Sequence, residues 1–416
     1  MGHVEAVVGL SVRIKLPAAR IADVVRIKRR GAPLLAEVVG IDGSDVIVMP
    51  LGELAGVGVD DVVESVGGPF AVRVSNDLRG RVLNALGEPA DGGPPITEGA
   101  FRSVDAAPPP ALRRRPIEAV VPTGIRVIDG LLTLGEGQRI GLFAGSGVGK
   151  STLLGAIARG TSADIVVVAL VGERGREVGE FLRGALGEEG MRKCVVVVAT
   201  SDAPALERLR AAQVATAIAE HFRDAGQRVM LLVDSITRFA RAQREIGLAA
   251  GEPPARRGYP PSVFAMLPRL LERSGQGTCG SITAVYTVLV EGGDMDEPIA
   301  DEVRGIVDGH VVLDRTLASR GRYPAVDVLG SLSRVMDGIV PEAHRAGARK
   351  LRQLLAAYEA KRDLVAMGAY AKGSDRLVDA AIARMASIEA FLGQASGEQT
   401  PFAQTTAALG KLVAGL

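Results

Sequence analysis

The sequence predicts an α/β protein: a mainly parallel, doubly wound sheet, preceded by a small β-barrel and followed by a helical domain. Three patterns carry this reading. Through the middle of the chain, continuous β-branched runs alternate with helical segments, as strands covered on both faces require. Across residues 1–75, short apolar runs alternate with Gly, Asp and Pro turns, the pattern of a small barrel. Past Met336 the strand pattern stops and apolar residues recur at helical spacing.

In chain order, the barrel candidates include Val4–Val8, Leu35–Ile41 and Val46–Met49, the last two joined by Asp42-Gly43-Ser44-Asp45. Residues 76–120 read as a linker and entry to the core. Within them Gly87 to Pro116 is rich in Pro and Gly and is expected to cross the surface with little regular structure. The core is expected over 121–336, with strands near Ile140–Phe143, Ile165–Val171, Cys194–Ala199, Val229–Val233, Ile282–Val288 and His310–Leu313, and a helix over Ala205–Arg223. A helical domain is expected over 337–416. Pro341 opens its first helix, with Leu351, Leu354, Leu355 and Tyr358 on one face, and a second starts near Ser374-Asp375 and runs through Phe391.

Bulk properties exclude several functions. The 416 residues carry 49 basic and 48 acidic side chains, a net charge of +1, so no global field draws the chain to nucleic acid or an anionic membrane. The basic runs Arg26–Arg30 and Arg113–Arg115 read as solvated faces. Cys194 and Cys279 lie far apart with no metal-type spacing, and the four His residues form no ligand pair, which points to two reduced thiols in a cytosolic protein. No apolar run is long enough to span a bilayer, and no signal peptide opens the chain. Met1-Gly2 does not make a myristoylation start, because position 6 is Ala. Any membrane role is expected through partners.

The chemistry starts at Ala144-Gly145-Ser146-Gly147-Val148-Gly149-Lys150-Ser151, set between the strand Arg139–Phe143 and a helix that opens with Ser151 and Thr152. Small residues let successive backbone N–H groups converge on one anion, and the helix N-terminus adds partial positive charge. Lys150 can reach the outer phosphates and the Ser151 hydroxyl can bind Mg²⁺. This is a P-loop, with one departure: Ala144 stands at the first glycine, which costs little if its φ stays negative.

Three further residues point to hydrolysis. Asp234 ends the apolar run Leu231-Leu232-Val233 at a strand's C-terminal edge, where it can hold Mg²⁺ through a water opposite Ser151; a helix-capping Asp would look the same. Glu173 follows the strand Ile165–Val171 and can orient and polarise an attacking water. Arg174 and Arg176 can neutralise it or pair with neighbours. Arg334 lies at the seam between core and helical domain, where it can serve either as a surface ion-pair partner or as a finger into a neighbouring subunit.

Together the P-loop, Gly172–Val178, Leu231–Glu245, Gly258–Leu267, Asp296–His310 and Gly321–Met336 resemble the type III secretion export ATPases, flagellar and injectisome, which are similar in fold to the catalytic subunit of rotary ATP synthases. The resemblance covers nearly the whole chain and implies a RecA-like P-loop NTPase core hydrolysing ATP with Mg²⁺. It implies that Gly145–Thr152 cradle the nucleotide, with Arg174 in the binding set and Lys150 also catalytic. Glu173 is then the catalytic carboxylate, Asp234 the acid that with Ser151 holds the metal, Arg334 an arginine finger supplied in trans, and Tyr323 of Arg322-Tyr323-Pro324 the adenine-stacking aromatic, which otherwise reads as a core tyrosine.

Rotary synthases divide the glutamate and the trans arginine between two kinds of subunit. Here both lie on one chain, which predicts a self-closing homohexamer and a monomer with poor ATPase activity. Rotary catalytic subunits carry an acidic loop where this chain reads Met367–Asp375, which favours the export ATPases. The resemblance further implies a central stalk protein, an export gate, substrate–chaperone complexes and a stator or regulator protein as partners, at the cytoplasmic side of an inner-membrane secretion apparatus. The chain begins almost directly in the barrel, so an extended stator-binding arm is expected to be short or missing. Arg362–Val365 with Gly368–Asp375 leans flagellar, Asp301–Arg304 leans injectisome, and the choice stays open. One alternative is an RNA-dependent hexameric helicase of the transcription-terminator type, but residues 1–75 hold a single aromatic, Phe70, to stack bases. The other is a non-catalytic nucleotide-binding ring subunit, which Glu173 argues against.

Overall fold

The computed structural model describes residues 1–415. Six strands form a closed antiparallel barrel: β1 (Gly2–Val8), β2 (Ser11–Lys15), β3 (Asp23–Lys28), β4 (Leu34–Asp42), β5 (Asp45–Pro50) and β6 (Val62–Pro69), in the order β1-β2-β5-β4-β3-β6. Alternate residues such as Val12, Ile14, Val25, Ile27, Val46 and Val48 fill its interior, as the two-residue period of a strand demands.

The chain then passes through β7 (Ala71–Val74), β8 (Val82–Asn84) and β9 (Ala100–Ser103) before entering the core strands β10 (Arg139–Ala144), β11 (Ile165–Glu173), β12 (Cys194–Thr200), β13 (Arg228–Asp234), β14 (Gly275–Gln276), β15 (Ser281–Leu289), β16 (Gly309–Leu313) and β17 (Val326–Ser333). The main sheet runs β17-β16-β10-β15-β13-β11-β12-β8 and is parallel except where β17 and the short β14 pair antiparallel. Its strands bury both faces. Val167, Ala169 and Val171 of β11 face one apolar core, and Val166, Val168 and Leu170 face the other.

The helices are α1 (Arg126–Leu131), α2 (Lys150–Gly160), α3 (Gly175–Glu180), α4 (Gly187–Met191), α5 (Ala205–Asp224), α6 (Ile236–Ala249), α7 (Pro261–Leu271), α8 (Pro298–Ile306), α9 (Arg315–Ser319), α10 (Met336–Ile339), α11 (Glu342–Ala366), α12 (Arg376–Leu392) and α13 (Phe402–Leu412). The last three pack on one another and on α1. Leu351 and Leu354 of α11 are buried, with Leu355 and Tyr358 partly buried against the same core. Among the described residues no helix is long and apolar enough to cross a membrane.

Three strands depart from the sequence reading. The Pro/Gly-rich connection contains a strand, β9, which pairs with β7 ahead of it. Just before it, β8 adds to the main sheet beside β12. Elements of three or four residues are too short to show a period. The edge strand β17, which contains Gly330, Ser331 and Ser333, lacks the apolar run of a strand covered on both faces.

The barrel is tied to the core by charge. Arg210 of α5, almost wholly buried, pairs with Glu37 of β4 and reaches Asp105 at 3.0 Å, while its guanidinium also donates to Gln213 at 2.7 Å. Burial raises the Glu37 carboxyl above its ordinary range, against the pull of Arg210. Arg210→Met is expected to cost about 3–5 kcal/mol in urea unfolding, since it strands a buried carboxylate; adding Glu37→Leu should recover much of that loss.

Candidate functional site

The cradle forms where β10 ends. Ala144 is buried as the last residue of the strand, between Leu289 of β15 and Leu313 of β16, so it keeps strand conformation and the missing glycine costs nothing. The turn that follows needs left-handed backbone at Gly147 (φ 77°) and Gly149 (φ 90°), which an L side chain would strain. Val148 turns its side chain into the core, so only its backbone is available to an anion, whereas Ser146, Ser151 and Thr152 are exposed. Helix α2 starts at Lys150, its N-terminus facing the turn.

Lys150 joins two acids. Its Nζ pairs with Asp234 Oδ1 at the end of β13 and lies 3.3 Å from Glu173 Oε1 at the end of β11. Both carboxylates are buried, Asp234 at 1 % and Glu173 at 6 % exposure, so each depends on its partners for the solvation it has lost. Thr287 Oγ1 of β15 donates to Asp234 Oδ1 at 2.8 Å. Arg238 of α6 pairs with Glu173 Oε2 at 2.7 Å and donates to the Gly172 carbonyl at 2.6 Å. The Glu177 carboxyl, held below its usual range, borders this cluster, with Glu173 beside it and the Arg174, Arg238 and Lys150 cations nearby.

Sequence reasoning did not single out Arg238 or Thr287. A signal for Arg238 was present: it lies one helical turn past Asp234, at the start of the helix that leaves the same strand edge. Thr287 had none, since only sheet pairing sets it beside Asp234. Arg174 stays outside the cluster; its side chain is 75 % exposed and reaches Glu177 at 3.3 Å, because it precedes α3 on the solvent side.

A cavity of about 800 Å³ opens beside the cradle, lined among others by Thr152, Ala156, Tyr323, Glu389, Gln394 and Ser396. The Tyr323 ring packs so close to Gly149 that a Cβ there would sit 3.3 Å from it. Gln394, buried in the connection after α12, holds this wall. Its N–H donates to the Tyr323 carbonyl at 2.7 Å, its Nε2 donates to the Gly124 carbonyl at 2.7 Å, and its Oε1 accepts from the Arg126 N–H at 2.8 Å. Cradle, acids and cavity can thus hold a polyphosphate with an apolar planar group at one end. Among the described residues no three His, Cys, Asp or Glu cluster as a metal cage. One hydroxyl, Ser151, and one carboxylate, Asp234, suit Mg²⁺, which keeps several waters and takes the rest of its shell from phosphates.

Arg334 is not with the others. Strand β17 runs antiparallel to β16, pairing Ser333 with Gly309, while β16 pairs His310 with Gly141 of β10. Arg334 therefore lies level with the start of β10, and the cradle follows its end. At ~3.3 Å per residue, plus two strand spacings, the separation is on the order of 15 Å or more, beyond an arginine's reach. Its side chain is exposed and makes no hydrogen bond or ion pair among the described residues.

Three family models match the chain: the ATP synthase alpha/beta family β-barrel domain over residues 4–67, the nucleotide-binding domain of that family over 124–333, and the type III secretion EscN ATPase C-terminal domain over 340–411. The flagellum-specific ATP synthase of Bacillus subtilis is 52 % identical over 99 % of this chain and 94 % of its own length. The type 3 secretion system ATPase of Xanthomonas euvesicatoria is 52 % identical over 97 % and 92 %. Among solved structures, the assembled ATPase EscN of the enteropathogenic E. coli type III secretion system matches with a TM-score of 0.95 at 46 % identity, over 100 % of both chains. EscN in complex with its central stalk EscO matches at 0.93. The helicase and the non-catalytic alternatives find no support in these matches.

Lys150→Met leaves two neighbouring buried carboxylates without their shared cation. It is expected to destabilise the nucleotide-free chain by about 3 kcal/mol in urea unfolding. Added ATP should raise the unfolding midpoint of the parent and leave that of the variant unchanged.

Proposed function

The chain belongs to the ATPases of type III secretion and flagellar export, and from that premise we propose that it acts as a Mg²⁺-dependent homohexameric motor whose every active site is shared by two copies. In this reading Gly145–Thr152 wrap the phosphates with backbone N–H groups, and Lys150 leaves its carboxylates to neutralise the outer phosphates. Ser151 and Asp234 would hold Mg²⁺, which would supply charge neutralisation at the phosphates. Release of Lys150 frees Glu173 to accept a hydrogen bond from the attacking water and orient it in line, with Arg238 keeping the carboxylate in place. Tyr323 stacks on the base. Arg174, on the solvent side of α3, would join the nucleotide only if closure turned it inward.

The observation that carries the proposal is the position of Arg334: exposed, unengaged and at the far end of the sheet from its own cradle. A head-to-tail ring sets that end against the cradle of the next copy, and repetition of one heterologous contact closes the ring. The barrel (1–75) and its connection (76–120) would form one face of the ring, the core (121–336) the catalytic belt, and the helical domain (337–416) the face that meets substrate–chaperone complexes. A central stalk would occupy the axis, and stator and export-gate proteins would hold the ring at the cytoplasmic side of the membrane. Hydrolysis would then drive chaperone release, unfolding and loading of export substrates. The Gln394 connection, which joins the cavity wall to the helical domain, provides a route for that coupling.

Two substitutions test the reading. Arg334→Ala should lower kcat by about 10³-fold or more while ATP affinity and the mass of the assembled ring stay unchanged. Tyr323→Ala should weaken ATP binding by about 10–100-fold with Tyr323→Phe close to the parent, measured by displacement of a fluorescent nucleotide. Full turnover in Arg334→Ala would contradict the shared site.

A further inference from the structure

Beneath Arg334 lies a buried polar knot that the reaction does not use directly. Gln138, wholly buried in the turn before β10, accepts from the Gly135 N–H at 2.9 Å through Oε1. Its Nε2 donates to the Asp308 carbonyl at 3.2 Å and to Ser333 Oγ at 3.1 Å. The Ser333 hydroxyl in turn donates to the Thr133 carbonyl at 2.9 Å. The Asp308 carbonyl that receives Gln138 also receives the backbone N–H of Arg334, at 3.0 Å.

Apart from the Gly135 bond, which fixes the Gln138 amide itself, the bonds of this knot involve Ser333 or the carbonyl that holds the Arg334 N–H. That matters because β17 is the sheet's edge, with a ladder on one side only, and its pairing with β16 slips in register between His310 and Val312. A bulge bends its strand, and an edge strand is held from one side only, so anything that fixes its end from the other side adds to the ladder. Gln138 and Ser333 supply a second attachment, from the turn before β10. A buried Gln amide is costly unless satisfied, and here its amide group is used on both atoms.

Resting on the shared-site reading above, we infer that Gln138 and Ser333 are positioning residues for the trans arginine: they set the base of Arg334 so that its guanidinium reaches the neighbouring copy's outer phosphate. They act on the next copy's active site and leave their own untouched. A shift of about 1 Å in such a group costs on the order of 100-fold in rate.

The test uses full-length chains. Ser333→Ala and Gln138→Glu are each expected to lower kcat by about 10–100-fold with KM for ATP within about twofold, and Ser333→Thr, which keeps the hydroxyl, should restore most of the loss. Each is then co-expressed with Glu173→Gln chains, and rings holding both are purified through two tags. Glu173→Gln chains lack the water-orienting carboxylate but carry an intact finger, so mixed rings should regain turnover at interfaces that join a good cradle to a good finger. Arg334→Ala co-expressed with Glu173→Gln is the reference. Recovery there, with none for Ser333→Ala, overturns this inference and leaves the shared site standing. No recovery with Arg334→Ala overturns the shared site itself. Unchanged kcat in a folded Ser333→Ala ring also overturns the inference, and that milder variant decides if Gln138→Glu does not fold.

Discussion

Direction in the sheet is the constraint on which the rest depends. A parallel sheet delivers the C-terminal ends of its strands to one edge, so β10, β11 and β13 bring Lys150, Glu173 and Asp234 together simply by ending there. A strand that reverses must end at the other edge. β17 reverses, and Arg334 is carried away from the residues it would serve. Under the proposed function, topology alone divides one chemical site between two ends of a molecule, and a second copy brings the ends together.

The catalytic edge is held in readiness by charge. Lys150 bridges two buried carboxylates that would otherwise repel each other; Arg238 holds the far oxygen of Glu173, and Thr287 donates to the same Asp234 oxygen that Lys150 holds. In the proposed mechanism such a cluster reorganises once phosphate competes for Lys150. The knot of Gln138 and Ser333 at the opposite edge is neutral, and it holds a backbone in place where the catalytic cluster holds charges. The proposed shared site would benefit from both: a labile set of ion pairs where ligand enters, and a rigid mount for the cation offered to the neighbour.

What could be read from the sequence followed from how local each signal is. Strands such as Ile165–Val171 were legible because burial on both faces makes every position apolar. The cradle was legible because its residues are contiguous and its geometry needs small ones. β8 and β17 were not, the first for its length and the second because an edge strand keeps polar residues. Among site residues, Glu173 and Asp234 each end an apolar run and could be picked out. Thr287 and Gln394 reach the site only through tertiary pairing, and no spacing in the chain announces them. Arg174 shows the limit of adjacency: it follows Glu173 in the chain, yet the turn into α3 sends its side chain to solvent, where it pairs with Glu177.

The shared site is tested most directly by specific activity per chain across a dilution series, with particle mass measured at every point. If water is activated by one copy and transition-state charge is met by another, turnover per chain rises steeply with assembly, and single copies are nearly silent while still binding ATP. Single copies that hydrolyse ATP at the rate of the assembled ring would contradict the account.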